Sequence, residues 1–271
     1  MDPGPGSAVA PRSALPAPRS SRIADFIDHT LLKPEATVAE IDKLCDEARE
    51  HRFAAVCVNP VWVPRCAERL TGSGVKVATV IGFPLGATAP ETKAAEAKLA
   101  VEQGADELDM VAAIGHIKSG DWQHVGRDIE SVVRAASGRV VKVILESALL
   151  SPLDIVKASA LAREMGASFV KTSTGFSAAG GATAEAVALM RLAVGDALGV
   201  KASGGVRDCE TALRMIAAGA SRIGTSSGVA MTQCLGPGPL PLAELLAAPH
   251  VHGARCSSGQ CSQEPAAAQP Y

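Results

Sequence analysis

The chain has 271 residues, 47% of them hydrophobic, which is enough to bury one large core or two small ones, and a formal net charge of −2. Lys and Arg are scattered, so no basic face for a nucleic-acid backbone emerges, although local sites for small anionic substrates stay open. No apolar run approaches the ~20 residues that span a bilayer, so no membrane partner is expected and the expected compartment is the cytoplasm.

Residues 1–21 are rich in Pro, Ala and Ser and lack a compact apolar segment, so they read as a disordered extension rather than a signal peptide. From Ile23 onward β-type and helical segments alternate. The expected strands are Asp28–Leu32, Ala54–Asn59, Lys76–Phe83, Glu107–Ala112, Val140–Glu146, Phe169–Thr174, Val200–Ser203 and Arg222–Thr225. Between them lie amphipathic stretches at Val38–Glu50, Pro90–Gln103, Trp122–Ala136, Leu153–Glu164, Ala184–Ala197 and Cys209–Ala217. Gly104, Gly166 and Gly219 close three of these helices in the manner of a left-handed C′ residue. Eight βα units in about 200 residues fit an α/β fold of the (β/α)8 barrel type over residues 22–235, and no GxGxxG turn follows the first strand to suggest a doubly wound sheet. Residues 236–271 carry a short helical stretch around Leu240–Leu246 and then turn polar, as expected of a flexible tail.

Seven cysteines, Cys45, Cys57, Cys66, Cys209, Cys234, Cys256 and Cys261, show no paired CxxC spacing and read as reduced thiols with no structural metal. A disulfide or an adventitious metal at Cys256 and Cys261 stays open, although no histidine follows them at zinc-finger spacing.

Lys171 and Lys201 each sit in the middle of a short apolar strand. An ammonium in such a place loses its proton or finds a partner, and an amine of lowered pKa attacks carbonyls, so the pair points to Schiff-base chemistry without a metal or cofactor. Side chains alternate along a strand, so Lys171 should share its face with Ser173, Lys201 with Ser203, and Asp109 with Glu107 and Val111. Lys142 should likewise share its face with Ile144 and Glu146, and Asp28 with Thr30. Gly175, Gly204, Gly205 and the Gly224–Ser227 run follow the last three strands, where barrels often cradle phosphate on glycine amides and a helix N-terminus. Cys57, at the end of the second strand, faces either the core or the site. His29 and His116 read as structural.

The segments Asp28-His29-Thr30-Leu31-Leu32-Lys33-Pro34, Glu107-Leu108-Asp109-Met110-Val111 and Lys142-Val143-Ile144-Leu145-Glu146 belong to a recognisable set. With Phe169-Val170-Lys171-Thr172-Ser173-Thr174-Gly175-Phe176 and Val200-Lys201-Ala202-Ser203-Gly204-Gly205-Val206-Arg207, they resemble the deoxyribose-phosphate aldolases from about Ser21 to Gln233. The resemblance implies a metal-free class I aldolase that reversibly cleaves 2-deoxy-D-ribose 5-phosphate to acetaldehyde and D-glyceraldehyde 3-phosphate. It implies Lys171 as the Schiff-base lysine, Lys201 as its electrostatic activator and Asp109 in the proton relay. Gly175, Gly204, Gly205, Ser226 and Ser227 fall on the phosphate positions, and Arg207 stands at the end of the same motif. A homodimer is the implied assembly, and the terminal Tyr271 matches a tyrosine that in some members reaches the site on a mobile tail. The loop Ser177-Ala178-Ala179-Gly180-Gly181 departs from the Gly-Pro or basic residues of many relatives. Two competing readings are a Schiff-base barrel aldolase for another phosphosugar and a non-catalytic phosphosugar-binding barrel.

Overall fold

The computed structural model describes residues 20–236 together with 238, 240, 241, 244 and 246. Eight parallel strands close into a barrel: β1 (Ile27–Leu31), β2 (Ala55–Val58), β3 (Lys76–Ile81), β4 (Glu107–Val111), β5 (Val140–Ile144), β6 (Phe169–Lys171), β7 (Gly199–Ser203) and β8 (Arg222–Thr225). Each pairs with the next, and β8 returns to β1 with Ile27 opposite Ile223. This is the (β/α)8 barrel that the alternation of segments predicts.

Among the described residues the outer ring comprises α1 (Val38–His51), α2 (Val63–Arg69), α3 (Pro90–Glu102), α4 (Ile114–Lys118), α5 (Trp122–Ala135), α6 (Pro152–Glu164), α7 (Ala184–Val194), α8 (Cys209–Ala217) and α9 (Gly228–Leu235). Local chemistry starts and stops them. Thr37 caps α1 and Glu40 reaches back to its backbone, while Thr183 and Asp208 accept the first free amides of α7 and α8. Pro90 and Pro152 occupy first turns, where a missing N–H costs nothing. A two-residue strand at Ser20–Ser21 pairs antiparallel with Leu240–Pro241, so part of the stretch expected to be helical is extended.

Strand alternation divides the barrel into two environments. Ile27, Val56, Val58, Val77, Leu108, Met110, Val141, Val143, Val170, Val200, Ala202 and Ile223 face outward into the main core beneath the helices. The opposite parity faces the barrel axis. On β2 and β3 it supplies a small apolar cluster of Ala55, Cys57, Ala78 and Val80, closed by Leu32, Phe83 and Phe176. On the remaining strands it supplies charge.

Candidate active site

Asp28, Glu107, Asp109, Lys142, Lys171 and Lys201 are buried within the barrel, and Arg222 joins them from the start of β8. Register explains the meeting: Asp109 lies opposite Lys142, Lys171 opposite Lys201, and Lys201 opposite Arg222. Asp109 is the hub. Its Oδ2 accepts from Lys171 Nζ at 2.9 Å and from Lys201 Nζ at 2.7 Å, and its Oδ1 accepts from Lys142 Nζ at 2.6 Å. Lys201 also donates to Asp28 Oδ2 at 2.5 Å, and Arg222 bridges Asp28 at 2.6 Å and Glu107 at 3.2 Å. Lys142 completes the ring with Glu107 at 2.7 Å. The absence of a side chain at Gly224 makes room for Lys201, since a Cβ there would lie 3.0 Å from Lys201 Cε.

Four bases and three carboxylates share this dry interior, so electroneutrality is reached when one base is uncharged. Burial singles out Lys171, lowering its pKa below the usual lysine range. Asp109 pulls it back upward and Lys201 adds to the lowering. Burial would depress Lys201 too, but Asp109 and Asp28 outweigh it and hold that ammonium charged well above the ordinary value. Burial likewise works against the ionised form of Asp109, yet Lys142, Lys171 and Lys201 overcome it and keep the carboxyl well below the usual range. Lys171 has one carboxylate contact where Lys201 has two. The geometry thus holds a depressed amine beside a fixed ammonium.

A cavity at the carboxyl ends of the strands is lined by Thr30, Leu31, Leu32, Lys33, Lys171, Thr174, Gly175, Phe176, Lys201, Ser203, Gly204, Gly224, Thr225 and Ser226. Of the five residues expected at a phosphate, Gly175, Gly204 and Ser226 line it. Gly205 and Ser227 lie one residue beyond, and the Ser227 amide donates to Thr225 Oγ1 at 2.9 Å. α9 starts just after Ser226, with its free amides and positive dipole end beside the opening. The divergent loop docks on the neighbouring turn, with the Ala182 amide donating to the Gly204 carbonyl at 2.9 Å. Arg207 is exposed and outside the lining. Cys57 is buried in the apolar half of the interior, where burial pushes its thiol up, and Lys201 and Asp109 lie close enough to act on it.

Neither histidine belongs to the site. His29 Nε2 lies 2.7 Å from Glu47 beneath α1, and exposed His116 pairs with Asp121 at 3.0 Å and stacks on His124. Tyr271, Cys256 and Cys261 lie outside the described residues. Glu107 shares the inward face of Asp109, as strand alternation predicts. Two participants are not singled out by sequence: Arg222, although it carries the strand parity of an inward residue, and Lys33, although it stands within the first-strand motif.

A family model described as DeoC/LacD family aldolase matches residues 22–233. The chain is 62% identical over 206 residues to a protein from Brevibacillus brevis named deoxyribose-phosphate aldolase, a match covering 76% of this chain and 93% of that one. Its counterpart of the same name from Streptococcus gordonii is 58% identical over 210 residues, covering 78% and 95%. Among solved structures, the tetrameric deoxyribose phosphate aldolase of Aeropyrum pernix superposes with a TM-score of 0.72 at 38% identity, covering 78% of this chain and 89% of that one. No helix among the described residues is long and apolar enough to cross a membrane.

Proposed function

The chain belongs to the DeoC/LacD family of aldolases, and from that premise we propose that it cleaves 2-deoxy-D-ribose 5-phosphate reversibly through a Schiff base on Lys171. The observation that carries the reading is the depressed, buried Lys171 amine set against the fixed Lys201 ammonium by a shared Asp109 carboxylate oxygen. Neutral Lys171 attacks the open-chain C1 carbonyl, and loss of water leaves an iminium. Removal of the C3 hydroxyl proton breaks the C2–C3 bond, releasing glyceraldehyde 3-phosphate and leaving two electrons in an enamine. Protonation at C2 and hydrolysis then return acetaldehyde and the free amine.

Three lysines hold Asp109 ionised, so alone it is a weak base. Its part is as the link of the Lys171–Asp109–Lys201 chain, where a proton given up by one amine is compensated by the other. The phosphate is assigned to Gly204, Ser226 and the opening of α9, with exposed Lys33 as the cation at the mouth. The expected enzyme is a cytoplasmic homodimer, a size that light scattering on the eluting protein checks directly. Borohydride reduction in the presence of deoxyribose 5-phosphate tests the chemistry: a covalent adduct on Lys171 is expected, and Lys171→Arg should show neither adduct nor turnover. Turnover by Lys171→Arg would remove the Schiff-base assignment.

A further inference from the structure

The strand that carries Lys142 ends irregularly. Past Ile144, the Leu145 amide donates to the Lys171 carbonyl at 2.9 Å and the Ser147 amide to the Thr172 carbonyl at 2.8 Å. Two amides two residues apart therefore serve carbonyls only one residue apart, and Glu146 is the extra residue of a bulge. Its backbone sits in the left-handed region at φ 54, ψ 59, a conformation that strains any residue bearing a side chain. The carboxylate it presents is buried, at 2% exposure.

Those costs have a visible product. Glu146 Oε2 accepts from the Thr174 hydroxyl at 2.5 Å and from its amide at 3.2 Å, and Thr174 Oγ1 in turn accepts from the Phe176 amide at 3.0 Å. Phe176 then meets Phe83 edge-on with ring centroids 5.1 Å apart. Thr174, Gly175 and Phe176 form one wall of the cavity that holds Lys171. The bulge also grips the chain at the lysine itself and just after it, through the carbonyls of Lys171 and Thr172. Glu146 Oε1 is buried without a hydrogen-bond partner, so the residue is not an economical structural choice.

We propose that Glu146 is a positioning residue, its left-handed bulge holding the Thr174–Phe176 wall in the geometry that binds the phosphosugar beside Lys171. This rests on the Schiff-base reading above. Glu146 acts through Thr174 and does not itself line the cavity.

The left-handed backbone supplies a clean test, because glycine adopts φ 54 without strain. Glu146→Gly removes the carboxylate while relieving the backbone, so its melting temperature should equal or exceed that of the wild type. Its KM for deoxyribose 5-phosphate should nonetheless rise about tenfold or more, the scale of losing hydrogen bonds to an ionisable acceptor, with a smaller fall in kcat. Glu146→Gln keeps an acceptor oxygen for both Thr174 donors and should restore KM to within about threefold of the wild type. Thr174→Val should mimic Glu146→Gly, and the double variant should be no worse than either. Borohydride trapping of acetaldehyde on Lys171 should proceed in all of them, since that small aldehyde does not depend on the wall. A wild-type KM in Glu146→Gly, or a Gln variant as impaired as the Gly variant, would overturn the positioning role. Failure of the wild-type enzyme to trap on Lys171 would instead remove the reading beneath it.

Discussion

At the scale of single residues, function here depends on where charge is forced to stay and where it is allowed to leave. Lys201→Leu keeps the nucleophile but removes the ammonium that helps depress it, leaving Asp109 to pull Lys171 upward. The alkaline shift of the rate profile should cost about 10²-fold or more near pH 7 and shrink as pH rises, because a lysine of higher pKa is neutral only at higher pH. A pH–rate series on both enzymes measures this, and superimposable profiles would show the two lysines uncoupled. Lys33→Ala should raise KM for deoxyribose 5-phosphate about two- to fivefold, the worth of an exposed ion pair, and leave unphosphorylated deoxyribose unaffected. Equal effects on both sugars would place the phosphate elsewhere. The inward charges on β-type segments were legible in the sequence because strand parity is rigid: once Lys171 faces the axis, so do its alternate neighbours. Glu146 was legible only in part. Parity placed it on the same face as Lys142, but a bulge breaks parity, and nothing in Leu145-Glu146-Ser147 announces a left-handed glutamate.

At the scale of elements, the periodic segments were read to within a few residues and the short ones were missed. α2 and α4 span seven and five residues, too short for a 3.6-residue period to show itself. β6 stops at Lys171 rather than Thr174 because Thr172 and Thr174 turn their hydroxyls to the Ser203 carbonyl and to Glu146. The outer layer holds its own buried pair, which no spacing rule announces: Lys93 on α3 donates to Asp128 on α5 at 2.7 Å and to the Val111 carbonyl at the end of β4 at 2.9 Å. Both side chains are inaccessible to solvent, and burial pushes Lys93 down and Asp128 up, each toward its neutral form. Removing one partner strands the other, so Lys93→Met should lose about 3–5 kcal/mol of unfolding free energy in urea. The double variant Lys93→Met with Asp128→Leu should recover most of that loss. If the double variant is as unstable as the single, the pair is no longer the reason these helices tolerate the charge.

At the scale of the whole molecule, the charged axis couples fold stability to pH. Asp28 and Asp109 have folded pKa values far below the ordinary aspartate value: burial opposes ionisation, but Arg222, Lys201 and Lys142 overcome it for Asp28, and Lys142, Lys171 and Lys201 do so for Asp109. Groups with depressed pKa stabilise the fold fully above their unfolded value near 3.9 and lose that contribution as pH falls further toward the folded one. Asp128 and Glu146 shift the opposite way, so they oppose the decline only while their unfolded carboxyls are still partly ionised, and do so equally in any axial variant. Below about pH 4 the two axial aspartates should therefore each add to the decline in stability with a slope that approaches about 1.4 kcal/mol per pH unit as their unfolded carboxyls become fully protonated. Exposed Glu40 and Asp121 and half-buried Asp42, also lowered by their hydrogen bonds, add to the decline but are common to any axial variant. The comparison that isolates the axis is Asp28→Asn, which should start less stable at neutral pH, having lost the charge that Lys201 and Arg222 face, yet decline more shallowly. Urea unfolding between pH 4 and pH 3 should show a slope smaller by about 1 kcal/mol per pH unit in Asp28→Asn than in the wild type. Parallel slopes would mean that Asp28 already protonates in the folded barrel, and the charge balance that singles out Lys171 as the neutral amine would have to be drawn differently.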